Sequence, residues 1–321
     1  MQCTPQDKLL EHHPDTLMTI RKAYNLDKPG MIEDAIKHLK EWVGKQQHFK
    51  KKNFSDAYLE IVMYACKGSL ERTKKQMDRM CTVKTLLPQF FEVHVAIWRL
   101  SVYFLDFLIK IFFSSTPVIL PKLTPEHYRV FMMKSNDKVN LYKDLLGYLS
   151  YEVMLFDYLK LHDFCHGYIV ILDFTETSIM DLMALANPIL LRQSLSLITE
   201  AYGIRIKGIY IYTPSKVVNV LVSFLKQVSS PKLANRIYSY KSLDNLTDIV
   251  PADILPVEYG GKEKAMKKLC DEWIEVMASE ENLNFLRERQ HAGTDESRRQ
   301  QDKFNEEYAG MPGTFRLLSV D

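Results

Sequence analysis

Gly167-Tyr-Ile-Val-Ile-Leu-Asp173 is an unbroken apolar run bounded by a glycine and an aspartate. It lacks polar alternation and is rich in Ile and Val, the pattern of a strand covered on both faces. A second run, Ile204–Tyr212, contains Ile209-Tyr-Ile-Tyr. Between them lies a helical pattern, Ser178–Tyr202, with Pro188 placed to open its second half. Strand, helix and strand in that order form a βαβ crossover, so the sheet is at least partly parallel. Tyr128–Lys134 and Arg236–Tyr240 are weaker strand candidates, and Asn140–Lys160 is a long helical pattern rich in Leu and Tyr.

Helical patterns flank this core. Met31–Trp42 sets Ile32, Ala35, Ile36 and Leu39 on one stripe, and Ala57–Cys66 and Ser69–Val83 form a pair broken at Gly68, with Ser69 as N-cap. Helices resume from Lys262 to Glu288. Arg287–Lys303 has no large apolar residue and reads as a solvated linker, whereas Tyr308–Leu318 regains Phe315, Leu317 and Leu318 and is expected to dock on the body. The expected organisation is an α/β protein in three parts: a helical subdomain at 1–110, a mixed-sheet domain at 111–262, and a C-terminal helix and tail at 263–321.

The 321 residues are 46% hydrophobic and 26% charged, an ordinary globular profile with room for two domains. A chain of this size buries roughly 75% of its unfolded surface and needs no disulfide or metal to hold it. Lys+Arg 42 against Asp+Glu 40 leaves +2, which argues against a nucleic-acid partner bound through a general basic footprint. Cys3, Cys66, Cys81, Cys165 and Cys270 include no CxxC pair and imply a reducing compartment. The opening MQCTPQDKLLEHHPDTL has three acidic residues and no apolar centre, so no secretory signal is expected. Ile97–Leu120 is apolar, but Arg99, Asp106 and Lys110 leave too short an uninterrupted run to span ~30 Å of hydrocarbon, and a buried or surface-docked helix is expected.

No GxSxG, HExxH, GxGxxG or GxxxxGKS/T pattern occurs, and nothing argues for catalysis. His162-Asp163-Phe164-Cys165-His166 is the most metal-like cluster. The glycine and strand that follow make it a solvent-facing helix-to-strand connection, and no second ligand set has zinc spacing. Asp173 and Glu176 could form an acid–base pair, but they sit where a strand ends in a polar turn, which explains them without chemistry.

Residues 203–261 are more informative. Thr213-Pro214 is a helix opening, with Thr as N-cap and Pro at N1. Val217, Val220, Leu221, Phe224 and Val228 then form one stripe, broadened by Val218, Val222 and Leu225. A helix this apolar is either core or a cover over something greasy. Ser230-Pro231 opens another helix, on which Lys232 and Arg236 share a face; Arg205 and Lys207 share a face of the preceding strand. Such pairs suit an anionic membrane surface, although each alone is an ordinary solvated face.

Ile254-Leu-Pro-Val-Glu-Tyr-Gly-Gly261, after Leu246 and Pro251, resembles the closing motif of the CRAL-TRIO lipid-binding family. GYIVILDF and YGIRIKGIYIYTP resemble that family in the same order, and Ala65-Cys-Lys-Gly-Ser-Leu-Glu-Arg-Thr-Lys-Lys75 with Leu86-Leu87-Pro88 resembles its N-terminal three-helix extension. The likeness covers residues 30–280 and is nearest to the branch that carries tocopherol and retinaldehyde.

The resemblance implies a sheet of about five strands flanked by helices and enclosing an apolar pocket, closed by a helical lid at Pro214–Val228. By the same likeness the pocket is lined by Ser150, Tyr151, Met154, Ile171, Leu190, Ile209, Val217, Val220, Leu221 and Phe224. Arg205, Lys207, Lys232 and Arg236 match the family's phosphoinositide-holding positions. An arginine-bearing segment of the family aligns with Val62-Met-Tyr-Ala-Cys66, which keeps neither arginine; Lys67 is adjacent but not equivalent. Of two serines on the family's long helix, Ser150 matches the first and Met154 the second. The expected protein is a monomeric cytoplasmic carrier, peripherally membrane-associated, with no cofactor, metal or catalytic residue, whose partners are one hydrophobic isoprenoid-type ligand and an anionic membrane. The competing expectations are a scaffold, a phospholipid exchanger, or an enzyme acting on the bound lipid.

Overall fold

The computed structural model describes residues 4, 6–91, 115–135, 145–178 and 187–299. Helices α1 (Thr16–Ala23), α2 (Met31–Lys45), α3 (Asp56–Ala65) and α4 (Leu70–Leu86) come first. The Ser69 hydroxyl accepts from the Arg72 amide, so α4 is capped as expected. Strands β1 (Ser115–Ile119) and β2 (Tyr128–Ser135) lead into the 18-residue helix α5 (Leu145–His162) and then β3 (Gly167–Asp173). Helix α6 (Pro188–Ser196) continues as a single π turn, Leu197–Ala201, into β4 (Ile206–Tyr212). Next come α7 (Val218–Val228), the one-turn α8 (Pro231–Ala234), β5 (Ile237–Tyr240), the one-turn α9 (Leu246–Ile249), α10 (Met266–Met277) and α11 (Glu280–Gln290).

The sheet order is β1-β2-β3-β4-β5, with β1 antiparallel to β2 and the other pairs parallel. The mixed, partly parallel sheet flanked by helices is the expected fold class. Among the described residues no helix is long and apolar enough to cross a membrane. Of the helix expected over 97–120, residues 97–114 lie outside the described residues and Ser115–Ile119 is an edge strand instead. The segment 308–318 also lies outside them.

Two hydrophobic cores meet at α4. Met80 and Val83 join the core around the sheet, whereas Met77 and Cys81 join the core of the N-terminal helices. Behind α4, Asp157 of α5 receives Arg289 of α11 at 3.0 Å and Lys84 at 3.4 Å, all three buried. The solvated linker expected from Arg287 is absent as far as Arg299. Thr294 bridges to Phe49, Lys50 N–H donates to the Gly293 carbonyl at 3.0 Å, and Arg299 reaches Asp78 at 2.8 Å. Low apolar content misled here because the strap is held by hydrogen bonds and ion pairs, which a hydropathy pattern does not register.

The LPVEYGG motif is a structural clasp. Glu258 accepts from the Met266 amide at 3.0 and 3.1 Å and so caps α10, while the Tyr259 hydroxyl donates to Asp173 at the end of β3 at 2.7 Å. A Cβ at Gly261 would lie 1.8 Å from the Leu255 carbonyl oxygen, so this close approach needs glycine.

The His162–His166 connection is likewise not a solvent-facing loop. Asp163 is buried and binds the fully buried Arg129 through Nη2 at 2.7 Å and Nε at 3.2 Å. Arg129 also donates to the carbonyls of Leu120, Pro121 and Glu11, and His12 and Tyr168 complete the shell around Asp163. His162 pairs with Asp7 at 3.2 Å. Among the described residues no His, Cys, Asp or Glu cluster could hold a metal ion. Burial would raise the Asp163 carboxyl, but the Arg129 charge and the His12 bond hold it well below the usual carboxylate range.

A carboxyl that titrates lower in the folded state stabilises fully above its unfolded value of about 3.9 and loses that contribution as pH falls below it. Asp163→Asn should therefore lower stability at pH 7 by ~3–5 kcal/mol, because it leaves the Arg129 charge buried and unpaired. Urea titrations should show the gap from wild type narrowing progressively below about pH 3.9.

Candidate functional site

The four basic residues expected to act together come together. Arg205 and Lys207 at the start of β4, Lys232 on α8 and Arg236 after it all line one cavity of about 990 Å3. The opposite wall, which sequence reasoning missed, carries Lys67, Arg72, Lys75 and Arg79. The last three sit at i, i+3 and i+7 on α4, one face of the helix. That spacing is legible in the sequence, but nothing local says that α4 faces β4. Lys67 closes α3 in the left-handed conformation at φ 56, where its N–H donates to the Tyr64 carbonyl at 3.0 Å. Tyr64 and Cys66 carry no charge, so the cations of this wall come from the next turn and the next helix.

Packing fixes this wall. The Gln76 amide donates to the Tyr202 carbonyl at 2.6 Å and the Cys66 thiol donates to Gln76 Oε1 at 2.7 Å, tying α4 to both α3 and the π turn. Arg205 stacks over the Tyr24 ring at 5.1 Å and donates to its hydroxyl. The β3–β4 register shifts between Tyr168–Ile206 and Ile169–Gly208, so Lys207 is the extra residue of a bulge. It lies 4.5 Å from the Tyr128 ring centre. Burial, then the charges of Arg205, Arg236 and Lys67, pull the Lys207 amine below its ordinary value. Burial, then Arg205 and Lys207, do the same to the His166 imidazole on the cavity wall.

The apolar candidates are distributed differently. Ser150, Tyr151 and Met154 are buried on α5, and the Ser150 hydroxyl has no hydrogen-bond partner among the described residues. Ile171 pairs with Tyr210 whereas Ile209 pairs with Val170, so Ile171 and Ile209 point to opposite faces of the sheet. One face cannot present both to a ligand. On the face of Ile171, Met132, Val130 and Val118 are fully buried, and at its β4–β5 end half-buried Tyr210 and Tyr240, exposed Tyr238 and buried Tyr212 stack. The face of Ile209 carries Met133, which receives the Tyr148 hydroxyl of α5 at 2.8 Å. It also carries Val170 and Leu172, half-buried although β3 is a central strand. Half-buried Glu152 lies one turn beyond Tyr148, and burial pushes its carboxyl up to about 7.

The expected lid is shorter and rotated. Thr213 Oγ1 accepts from the Ser215 amide and Ser215 Oγ from the Val217 amide, both at 3.3 Å, so these hydroxyls form two turns and α7 begins only at Val218. Leu221 is buried, and Val217, Val218, Val222 and Leu225 pack inward with Leu190 of α6. Val220 faces outward at 52% exposure, as does Ile189 of α6 at 58%; Phe224 is half-buried. A second cavity of about 480 Å3 runs under the α6–α7 junction and shares Thr199, Glu200, Ser230 and Leu233 with the basic one. Asp173 and Glu176 are the expected turn, with Asp173 accepting from Thr175 at 2.6 Å and Glu176 pairing with Lys134.

Residues 113–261 match the family model described as CRAL/TRIO domain, and residues 28–94 match the model described as Pinta-like, UBA domain. A solved structure described as the crystal structure of Sfh5 is similar over 87% of this chain and 99% of its own, at 12% identity and a TM-score of 0.47.

An anion entering the basic cavity should offset the charges that depress His166 and so raise its pKa. NMR pH titration should place His166 below 6.5 in the free protein and move it upward in saturating sulfate. The protonated fraction near pH 6 therefore rises on binding, and sulfate affinity should increase as pH falls through that range.

Proposed function

We propose that this chain, whose residues 113–261 match the CRAL/TRIO domain model, is a lipid-binding carrier for one hydrophobic, isoprenoid-type ligand, exchanged at anionic membranes that include phosphoinositides. The observation that carries this reading is the juxtaposition of two surfaces. A cavity walled by eight cations adjoins the base of an apolar helix whose outer side exposes Val220 beside Ile189.

In this reading the ligand lies over the Ile209 face of the sheet, between α5 and α7. Removing its chain from water at ~25 cal/mol per Å2 supplies the affinity. Few polar groups are needed to orient it. Glu152 is suited to that task, because a carboxyl pushed up to about 7 can donate to or accept from a ligand hydroxyl. No catalytic step is required, and the chain works in the cytoplasm and at membrane surfaces.

At the membrane, phosphate head groups occupy the basic cavity while Val220, Phe224 and Ile189 meet the acyl boundary. Ser230 and Leu233 belong to both cavities, so an anion held by Lys232 and Arg236 acts on the residues that follow α7 directly. A bound anion can shift the lid only by differing in affinity for its two positions, and these shared residues provide the difference.

The double variant Arg205→Ala with Lys232→Ala should slow transfer of a fluorescent tocopherol between phosphoinositide-containing vesicles by roughly thirtyfold, about the worth of two cations near a surface. Ligand affinity measured without membranes should stay within twofold. Equal transfer rates for variant and wild type would overturn the proposal.

A further inference from the structure

Among the residues that line the basic cavity, Glu200 is the only carboxylate. It stands on the π turn Leu197–Ala201, where α6 widens by one residue before β4, and its side chain is half exposed. Among the described residues its ion pair is loose: Arg79 Nη1 lies 3.8 Å from Glu200 Oε2, beyond hydrogen-bond distance. An exposed pair of this kind contributes little to stability. A negative charge at the mouth of a phosphate site also repels phosphate. Glu200 therefore has no evident value to folding and an apparent cost to binding, unless the ligand brings it something.

What a carboxylate can take is a donor. Ionised, it only accepts hydrogen bonds, and those from hydroxyls are short and strong. A ligand carrying hydroxyls beside its phosphates satisfies both parts of the cavity, the phosphates toward the cations and a hydroxyl toward Glu200. A phosphate ligand without hydroxyls meets the same cations and an unrelieved repulsion. Both effects discriminate in one direction.

We propose that Glu200 is the specificity-determining residue of the basic cavity, accepting a ring or chain hydroxyl and so selecting polyol phosphates over hydroxyl-free phosphates of equal charge. This rests on the assignment of the cavity to anionic head groups. The polyol phosphate is either the head group of a phosphoinositide or a free inositol phosphate, and the chemistry at Glu200 is the same for both.

The test has two arms. In the first, the full chain binds vesicles containing phosphatidylinositol bisphosphate or phosphatidic acid, matched for surface charge. In the second it binds soluble inositol trisphosphate, which keeps three ring hydroxyls, or tripolyphosphate of similar charge at fixed ionic strength. Wild type should prefer the polyol member of a pair by about tenfold, the usual scale for a charge-assisted hydrogen bond. Glu200→Ala should reduce that ratio at least threefold, mainly because the hydroxyl-free ligand binds better. Arg79→Ala should weaken both members of a pair and leave the ratio in place. A falling ratio in the vesicle arm alone assigns the hydroxyl to a lipid head group, and in the soluble arm alone to a free inositol phosphate. Wild-type binding with the same ratio in Glu200→Ala overturns this inference and leaves the membrane reading intact. No wild-type binding in either arm overturns both.

Discussion

A guanidinium with no solvent exposure has to find all its partners inside the protein, and Arg129 draws them from three separate parts of the chain. Asp163 comes from the α5–β3 connection, the Leu120 and Pro121 carbonyls from the end of β1, and the Glu11 carbonyl from the N-terminal arm. Leaving any of these unmade would strand a charge in the interior. The pair therefore fixes where β3 starts relative to β2 and where the arm crosses them. The basic cavity follows from that placement. Three residues after Asp163, His166 enters the cavity wall, and the Tyr168 amide holds the Arg205 carbonyl at 2.9 Å. Arg205 and Lys207 are thus set in place by an ion pair to which neither belongs.

The sheet was legible because burial of a strand on both faces leaves an unbroken apolar run, as at Gly167–Asp173, and needs no knowledge of partners. The closing motif was legible as a pattern, though its physical content, Glu258 capping α10 and Tyr259 anchoring to Asp173, appears only in the fold. Local polar signals were less dependable. Thr213-Pro214 has the composition of a helix opening, yet its hydroxyl closes a turn and the helix starts at Val218. Arg287–Arg299 has the composition of a linker, yet Arg289 and Arg299 end in carboxylates supplied by α5 and α4. In both cases the deciding partner is either one of several local options or distant in sequence.

The candidate site divides along the same line. Each cationic pair could be read from helix or strand periodicity, whereas the meeting of α4 with β4 could not, because Gln76 and Tyr202 are the residues that bring them together. The pocket-facing residues were harder still. Strand alternation has a period of two, so assigning Ile171 and Ile209 to one face requires the register between their strands, which a single sequence does not contain.

Collecting eight cations around one cavity has an electrostatic consequence that the +2 net charge conceals. Burial first, and then the repulsion of neighbouring cations, depresses Lys207 and His166. An incoming polyanion removes that repulsion as well as forming new contacts, so its binding is favoured by a strain already present in the empty site. Screening weakens repulsion and attraction together, and partly buried groups such as Lys207 are screened less than the exposed Lys232. The basic cavity shares Ser230 and Leu233, which follow α7, with the cavity under the α6–α7 junction, so in the proposed carrier an anion held there would act directly on the end of that helix.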